Sequence, residues 1–218
     1  MVFFVKFINI HTHTHTNSDE NFNILNCYPN STDFNTPFSI GIHPWFILEE
    51  KIEDELIFIK KKLLHKNCYA VGECGLDKLS KINYQLQIAV FKEHIQLSEA
   101  FKKPLIIHCV KSFQEIIQIK KELKPSQKWL IHGFHKNNQI ALELIKNDCF
   151  LSFGKALLYS DKLQKVFENI PIDKIFLETD DAEIDIIEIY QKASSIKNSN
   201  IKKIQEKIHQ NFNTIFIQ

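Results

Sequence analysis

The sequence predicts an α/β fold of the TIM-type (β/α) barrel class, and three observations lead to this prediction. Short β-rich apolar segments alternate with longer segments of helical period, as expected of parallel strands joined by helices. His, Glu and Asp residues follow successive predicted strands at intervals of roughly 30 residues, about the length of one strand–helix unit. The 218 residues suffice for one barrel and leave no room for a second domain, so we expect a single domain over residues 1–218.

The predicted strands are seven apolar segments bounded by polar or turn residues. They are Phe3–Ile10, Phe38–Ile42, Cys68–Gly72, Leu105–Ile107, Trp129–Ile131, Cys149–Phe153 and Ile175–Leu177. Between them lie segments with an apolar stripe at helical spacing and Lys, Glu, Gln or Asn on the opposite face, which is typical of helices packed on a core. These stripes run over Ile52–Leu63, Leu86–Phe101, Ile140–Ile145, Leu163–Phe167 and Ile201–Ile215.

The charge balance gives little information about the substrate. Lys and Arg total 27 and Asp and Glu total 26, so any nucleic acid must be bound locally rather than by the field of the whole chain. All the basic residues are Lys, and a chain without Arg lacks the guanidinium fork that binds phosphate in a bidentate manner. Lys, backbone N–H groups or metal ions must then bind any phosphate.

Cysteine usage and hydropathy predict a soluble cytoplasmic protein. Five cysteines, an odd number without a CxxC pair, fit reduced thiols better than a disulfide framework or a zinc knuckle. The apolar start, Met1 to Ile10, is interrupted by Lys6 and resembles a strand rather than a signal peptide. No apolar segment approaches the ~18 residues of a membrane span, so no membrane partner is predicted.

The first candidate metal ligands are a His-X-His pair directly after the first predicted strand. His11 and His13 are two residues apart, so both imidazoles lie on one side of an extended chain and can bind one cation together. His15 shares this parity but leaves the predicted strand, and we assign it no role. The pair alone is a loose motif, and a His-Thr loop without function explains it equally well.

Three further candidates follow later strands. Glu73, in VGECGLD, lies where a buried carboxylate is costly unless a cation compensates it, and bridging two metals is the natural use. His108 ends PLIIH and His132 ends WLIH, so each imidazole follows a buried-type segment and is predicted to supply nitrogen to a second metal. A single histidine at a strand end is more often a core residue. Two of them, together with Glu73 and the first pair, indicate a metal site.

Asp180, in IFLETDD, follows the last predicted strand and completes the set. We predict that it ligates one metal and accepts a proton from a bound water. Glu178 and Asp181 flank it, and we interpret both as structural or solvated acids. The carboxyl ends of all barrel strands converge on one face, so residues far apart in the chain are expected to meet there.

The ordered segments IHTH, GIHPW, VGECGLD, PLIIHC, IHGF and LETD resemble those of the TatD family of metal-dependent hydrolases, a branch of the amidohydrolase barrels. The resemblance extends over most of the chain, from the first strand to Asp180. It implies a (β/α) barrel that holds two divalent ions. The implied ligands are His11, His13, Glu73 and Asp180 around one ion, and Glu73, His108 and His132 around the other.

The resemblance also implies a substrate and a phosphate contact. His43, in GIHP, matches a family position that contacts the substrate's phosphate, and members are mostly DNases, often exonucleolytic. Three features of this sequence depart from the family pattern. Val110, followed by Lys111, replaces a common Arg; Asp181 and Ala182 lead almost directly into a helical segment instead of an Arg-bearing loop. The short chain also predicts a shortened or missing eighth strand.

The predicted reaction is therefore two-metal hydrolysis of phosphodiester bonds in DNA. Glu73 positions the two ions, Asp180 takes a proton from the attacking water, and His43 with Lys111 orients the phosphate. Imidazole-rich ligation favours Zn, Mn, Ni or Co over Mg in affinity, and availability decides among all five. DNA or another phosphodiester is the predicted partner, and no obligate protein partner is implied.

Three alternatives remain open at this point. The same metal chemistry serves an amide or ester, as in a deacylase, because a fold does not determine a substrate. The missing loop also allows a non-catalytic barrel that binds metal or nucleic acid. The third is a barrel whose histidines are ordinary core residues without any metal.

Overall fold

A computed structural model of the chain describes residues 6–14 and 18–217, and within them there are eight strands, each of which is followed by at least one helix from the third strand onward. The strands are β1 (Phe7–Thr12), β2 (Asn21–Cys27), β3 (Phe38–Ile40), β4 (Cys68–Asp77), β5 (Leu105–Val110), β6 (Trp129–Ile131), β7 (Cys149–Phe153) and β8 (Ile175–Leu177). The helices are α1 (Ile52–Leu63), α2 (Tyr84–Phe101), α3 (Phe113–Leu123), α4 (Asn138–Lys146), α5 (Ala156–Tyr159), α6 (Asp161–Asn169), α7 (Ile186–Ile196) and α8 (Ile201–Phe216). Short 3-10 helices cover Glu49–Lys51 and Ile172–Lys174.

The order of the strands in the sheet follows their order in the chain, from β1 to β8. This is the strand order that the predicted TIM-type (β/α) barrel requires. By their contacts the residues form two compact units, a central unit over Leu25–Ile131 and a terminal unit over residues 6–14, 18–24 and 132–217. The single domain over residues 1–218 stays a prediction.

In the terminal unit, β8 lies between β7 and β1. Leu151 of β7 pairs in parallel with Ile175 of β8, and Thr12 at the end of β1 forms a parallel bridge with Asp180. The first and last strands are therefore neighbours, as closure of a barrel sheet requires. Tyr190 of α7 fixes this unit's outer layer, because its buried hydroxyl accepts from the Ile8 N–H and donates to the Ile8 carbonyl.

In the central unit, parallel ladders join β2 to β3, β3 to β4, β4 to β5 and β5 to β6. The longest helix, α2, lies against β4. Its N-terminus is capped by Asn83, whose side chain accepts from the N–H groups of Gln85 and Leu86. Its core face includes Phe91, which packs edge-on against the fully buried Trp129 of β6.

The structure corrects several predicted strand boundaries. The last three strands match the prediction residue for residue, whereas β1, β4 and β5 run further, to Thr12, Asp77 and Val110. Residues 3–5 of the first predicted strand lie outside the described residues, as does His15.

The sequence analysis missed β2, because three Asn residues in NFNILNC weaken its strand signal. An eighth strand, β8, is present and has only three residues. The length of the chain predicted an eighth strand that is either shortened or missing, and the structure shows the shortened strand. No helix in residues 6–14 and 18–217 is long and apolar enough to span a membrane.

Candidate metal centre

The terminal unit brings the His-X-His pair onto one oxygen of Asp180. His11 Nε2 lies 3.5 Å and His13 Nε2 3.3 Å from Asp180 Oδ1. His11 belongs to β1 and is fully buried, while His13 follows the strand and is partly exposed. The two rings are perpendicular with centroids 5.0 Å apart, so two nitrogen donors and one carboxylate oxygen face a common point.

Backbone bonds hold Asp180 in place. The Asp180 N–H donates to the His11 carbonyl, and the His13 N–H donates to the Asp180 carbonyl. Asp180 has a φ of 56°, a left-handed conformation that L residues adopt rarely and at a cost in energy. Burial raises the pKa of Asp180, but hydrogen bonds from His11 and His13 outweigh burial and hold the pKa far below its usual range. The carboxylate is therefore charged, as a metal ligand must be.

His132 joins this group from the residue after β6. Its ring lies 4.4 Å from the His11 ring, and donor atoms of His11, His132 and Asp180 all lie within 4.8 Å of one another. Glu178 has a fully buried side chain, and its Oε1 lies 3.7 Å from His132 Nδ1 and accepts the Gly133 N–H. A carboxylate behind a histidine fixes the orientation of the ring and strengthens it as a ligand. Of the two interpretations given for Glu178, a structural or a solvated acid, its burial fits the structural one.

In the central unit, a bulge in β4 positions Glu73. Val71 pairs with Leu105 and Cys74 with Ile107, so β4 has one residue more than β5 between these pairs. A bulge redirects a side chain within a strand, and such bulges are common beside active sites. Glu73 thus lies inside β4, rather than after the strand as predicted, and it is 3% exposed.

The Glu73 carboxylate contacts two histidines and one asparagine. Glu73 Oε1 lies 3.0 Å from His108 Nδ1 and 3.2 Å from His43 Nε2. On the other side, Asn26 Nδ2 is 3.4 Å from Glu73 Oε2, and Asn26 Oδ1 accepts the Glu73 N–H at 2.9 Å. Asn26 lies in β2, the strand that the sequence analysis missed, so its role in orienting Glu73 was missed with it.

The two ring nitrogens of His43 have different roles. Nδ1 accepts the backbone N–H of Trp45 at 3.1 Å, so in a neutral ring the proton is on Nε2. Nε2–H then donates to Glu73 Oε1. A metal ligand needs a lone pair, which this nitrogen lacks. Although His43, Glu73 and His108 have donor atoms within 4.8 Å of one another, the hydrogen bonds of His43 favour a hydrogen-bond donor over a metal ligand.

His108 lies between two carboxylates. Its Nδ1 faces Glu73, and its Nε2 lies 3.1 Å from Asp77 Oδ2. Asp77 ends β4 and also accepts the indole N–H of Trp45 at 2.6 Å and the Leu79 N–H at 2.7 Å. Burial raises the pKa of Asp77, but the bonds from Trp45 and His108 outweigh this and lower it. Asp77, which was not among the predicted site residues, therefore anchors the far side of the His108 ring.

Lys111 is exposed and follows β5 directly, with a φ of 53°. His108 lies within β5 rather than after it, because the strand runs on to Val110. His11 likewise lies within β1. His132 directly follows β6 as predicted, while His43 and Asp180 each come three residues after a strand.

The donor sets in both units fit divalent ions. Nitrogen and oxygen donors about 2.0–2.1 Å from a tetrahedral ion lie roughly 3.3 Å apart. The observed separations at Asp180 are 3.3 and 3.5 Å, and His108 Nδ1 to Glu73 Oε1 is 3.0 Å. A cation next to Nδ1 would bind the lone pair of that nitrogen and leave the Nε2–H to donate to Asp77.

Comparison with known proteins gives similar sequences and folds. An uncharacterized metal-dependent hydrolase of Buchnera aphidicola is 34% identical over 150 residues, which are 67% of this chain and 56% of that protein. The human 3'-5' RNA nuclease TATDN2 is 31% identical over 65% of this chain and 19% of its own length. The matched part of this chain thus spans little more than half, or less, of these relatives.

A crystal structure of YjjV, a TatD homolog of Escherichia coli K12, matches the fold with a TM-score of 0.83 over 99% of both chains at 17% identity. This match confirms the TIM-type barrel fold class. The family model described as "TatD related DNase" matches residues 5–217. The chain therefore belongs to the TatD-related DNase family.

Proposed function

We propose that the chain is a divalent-metal-dependent hydrolase that cleaves phosphodiester bonds in nucleic acid, with DNA cleaved from an end as the first candidate. The observation that carries this proposal is the convergence of His11 Nε2 and His13 Nε2 on one oxygen of Asp180. Two imidazoles on one charged carboxylate are a ligand set for a divalent ion. Membership of the family supports a phosphodiester as the bond that is cleaved.

We assign the metal ligands in each unit separately. His11, His13 and Asp180 would hold an ion in the terminal unit, and Glu73 and His108 would hold one in the central unit. The resemblance implies His132 as a ligand of the second ion, but its donor atom lies within 4.8 Å of those of His11 and Asp180, so we propose it as a ligand in the terminal unit. Bound divalent ions would acidify a water and neutralise the charge that develops on phosphate. Zn, Mn, Mg, Ni and Co all remain candidates, and the bridging role of Glu73 stays a prediction.

The remaining residues act on protons and on the substrate. Asp180 would accept the proton of the attacking water, as the sequence analysis predicts. The Nε2–H of His43 is a neutral donor for a phosphate oxygen once substrate replaces its contact with Glu73. Lys111, exposed at the end of β5, supplies a positive charge for the same phosphate.

DNA and RNA are both candidate substrates, since the family is described as DNases and the human relative is named an RNA nuclease. We also propose a cytoplasmic location. All five cysteines are buried and none forms a disulfide, and burial raises the pKa of Cys27 to about 11 and that of Cys68 to about 12. Unreactive thiols of this kind suit a reducing compartment.

The test is a cleavage assay on end-labelled single-stranded DNA and RNA with each of the five divalent ions, paired with elemental analysis. We expect the wild-type protein to hydrolyse DNA, RNA or both with at least one of these ions. Asp180→Asn should lose about 10²–10⁴-fold in rate, because the general base is removed. Asp181→Asn, at the exposed neighbouring acid, is the matched control and should retain activity.

Two results would replace the proposal. Turnover of acylated substrates with inert DNA and RNA would make the protein a deacylase. Stoichiometric metal without turnover of any of these substrates would indicate a non-catalytic barrel. Equal activity of Asp180→Asn and wild type would refute the assignment of the base.

A further inference from the structure

Two aromatic side chains are exposed beside the central-unit residues just described. Trp45 is 54% and Phe46 55% exposed, and their ring centroids lie 6.5 Å apart. Burying a tryptophan or phenylalanine normally stabilises a fold by a few kcal/mol, so leaving both in water forgoes that gain. Isolated exposed apolar residues are common and need no explanation, but these two adjoin candidate catalytic groups.

Trp45 is held firmly although it is exposed. Its indole N–H donates to the buried Asp77 carboxylate at 2.6 Å, and its backbone N–H donates to His43. The ring centroid lies 4.9 Å from the His43 ring and 5.7 Å from the His108 ring, nearly perpendicular to both. Asp77 therefore connects the position of an exposed aromatic ring to that of a candidate metal ligand.

Phe46 also packs against His43. Its ring lies 5.4 Å from the His43 ring and 5.6 Å from the Tyr28 ring. The segment after β4 and the end of β5 form a shallow cleft of about 470 Å³ with Trp45, lined by Leu79, Ile82 and Val110 and by the basic Lys81. A fixed aromatic ring, apolar walls and a lysine match a ligand with a flat π-face and a phosphate.

We propose that Trp45, with Phe46 beside it, stacks on the nucleobase next to the scissile phosphate. This inference rests on the proposed function and assigns a base-contacting residue to that site. Base-to-aromatic stacking accepts any base because every base has a π-face, and it requires an unpaired base.

The composition of the chain supports the same conclusion. With a net charge of +1 and no Arg, the chain gains little from long-range attraction to phosphates or from Arg stacking on bases. Stacking on a fixed tryptophan provides affinity that does not depend on charge. A rigid ring also loses little conformational freedom on binding, because Asp77 already fixes it.

The test measures binding by the metal-loaded protein to two probes with cleavage-resistant phosphorothioate linkages. One is an oligothymidylate, and the other is an abasic oligonucleotide of equal length. The chain has only two tryptophans, and Trp129 is fully buried, so quenching of exposed Trp45 reports stacking directly. We expect wild type to bind the abasic probe about 5- to 150-fold more weakly than the oligothymidylate.

Three variants, followed by anisotropy of labelled probes, complete the design. Trp45→Ala should abolish the preference for bases, Trp45→Phe should keep most of it, and Leu64→Ala, at a 78% exposed residue elsewhere, should leave it unchanged. A duplex of the same sequence should bind less tightly than the single strand.

Equal binding of both probes by wild type, or a preference that survives Trp45→Ala, would overturn the inference. Cleavage is scored separately, so base-dependent binding without hydrolysis would refute the proposed function and leave the stacking role intact. Hydrolysis without base-dependent binding would support the proposed function and refute the stacking role of Trp45.

Discussion

His94 provides a direct test of how the core supports the candidate site. This α2 residue is completely buried, and its Nε2 accepts the N–H of Ile42, the residue before His43, at 2.9 Å. Its Nδ1 lies 2.8 Å from the Val90 carbonyl and donates to it. Both ring nitrogens are thus satisfied only by the neutral ring, because a protonated Nε2 cannot accept from Ile42.

The size of the effect of pH on the free energy of unfolding follows from the pKa of His94. Burial lowers this pKa from its ordinary 6.5 to about 4, although the bond to Val90 opposes the shift. The unfolded chain therefore takes up a proton before the folded protein does, and stability falls as pH drops. The contribution of His94 is fully present above pH 6.5. It has decreased by about 2 kcal/mol at pH 5 and by about 3 kcal/mol at pH 4.

The perturbation is His94→Gln, which keeps an acceptor near Ile42 but does not titrate. Urea denaturation of metal-free protein at pH 7.5 and pH 5.0 gives the free energy of unfolding, and the other histidines titrate alike in both proteins. Wild type should lose about 2 kcal/mol more than the variant between these pH values. His94→Phe should show the same reduced pH dependence, but with a further loss of about 1–3 kcal/mol at both pH values because the Ile42 N–H loses its acceptor. Identical losses in wild type and His94→Gln would refute the reasoning.

Two further predictions concern Glu178 and Gly75. Glu178→Gln still accepts the Gly133 N–H but removes the charge behind His132. Metal affinity, measured by competition with a chelator, should therefore fall about 10–100-fold. The control is Glu183→Gln, at an exposed residue, which should leave metal affinity unchanged. Gly75 has a φ of 143°, and a Cβ there would lie 2.1 Å from the His108 carbonyl oxygen, so Gly75→Ala should lower the free energy of unfolding by about 3 kcal/mol or more. Gly154→Ala, where the nearest atom would be at 3.4 Å, is the control, and equal stability of the two alanine variants would contradict the clash.

The strands that sequence analysis located best are those with continuous apolar segments. Trp129–Ile131 and Cys149–Phe153 are buried throughout, so their hydrophobic signal and their boundaries coincide. β2 was invisible for the opposite reason. Asn26 is a polar residue inside this strand. It accepts a hydrogen bond from Glu73, 47 residues away in the sequence, and no local sequence pattern reveals that contact.

The same limit explains the candidate-site residues that were missed. The order and spacing of His11, His108 and Asp180 indicated a metal site, because ligand types are visible in a sequence. The carboxylates behind the ligands are not visible in this way. Asp77 and Glu178 resemble any other acid until the structure shows which histidine nitrogen each one faces.

The absence of Arg and the hydrogen bonds of His43 lead to one further conclusion about substrate recognition. A guanidinium would bring charge and two parallel donors to a phosphate, and this chain has no Arg. His43 offers a single neutral N–H, because the Trp45 backbone occupies its other nitrogen. A neutral donor contributes orientation more than affinity, and the net charge of +1 adds little. Under the proposed function, affinity would come from ions bound at the scissile phosphate, from Lys111 and from the aromatic surface beside them. Trp45 would then contribute to orientation and to affinity, since its backbone N–H fixes the tautomer of His43 and its ring is proposed to stack on the substrate.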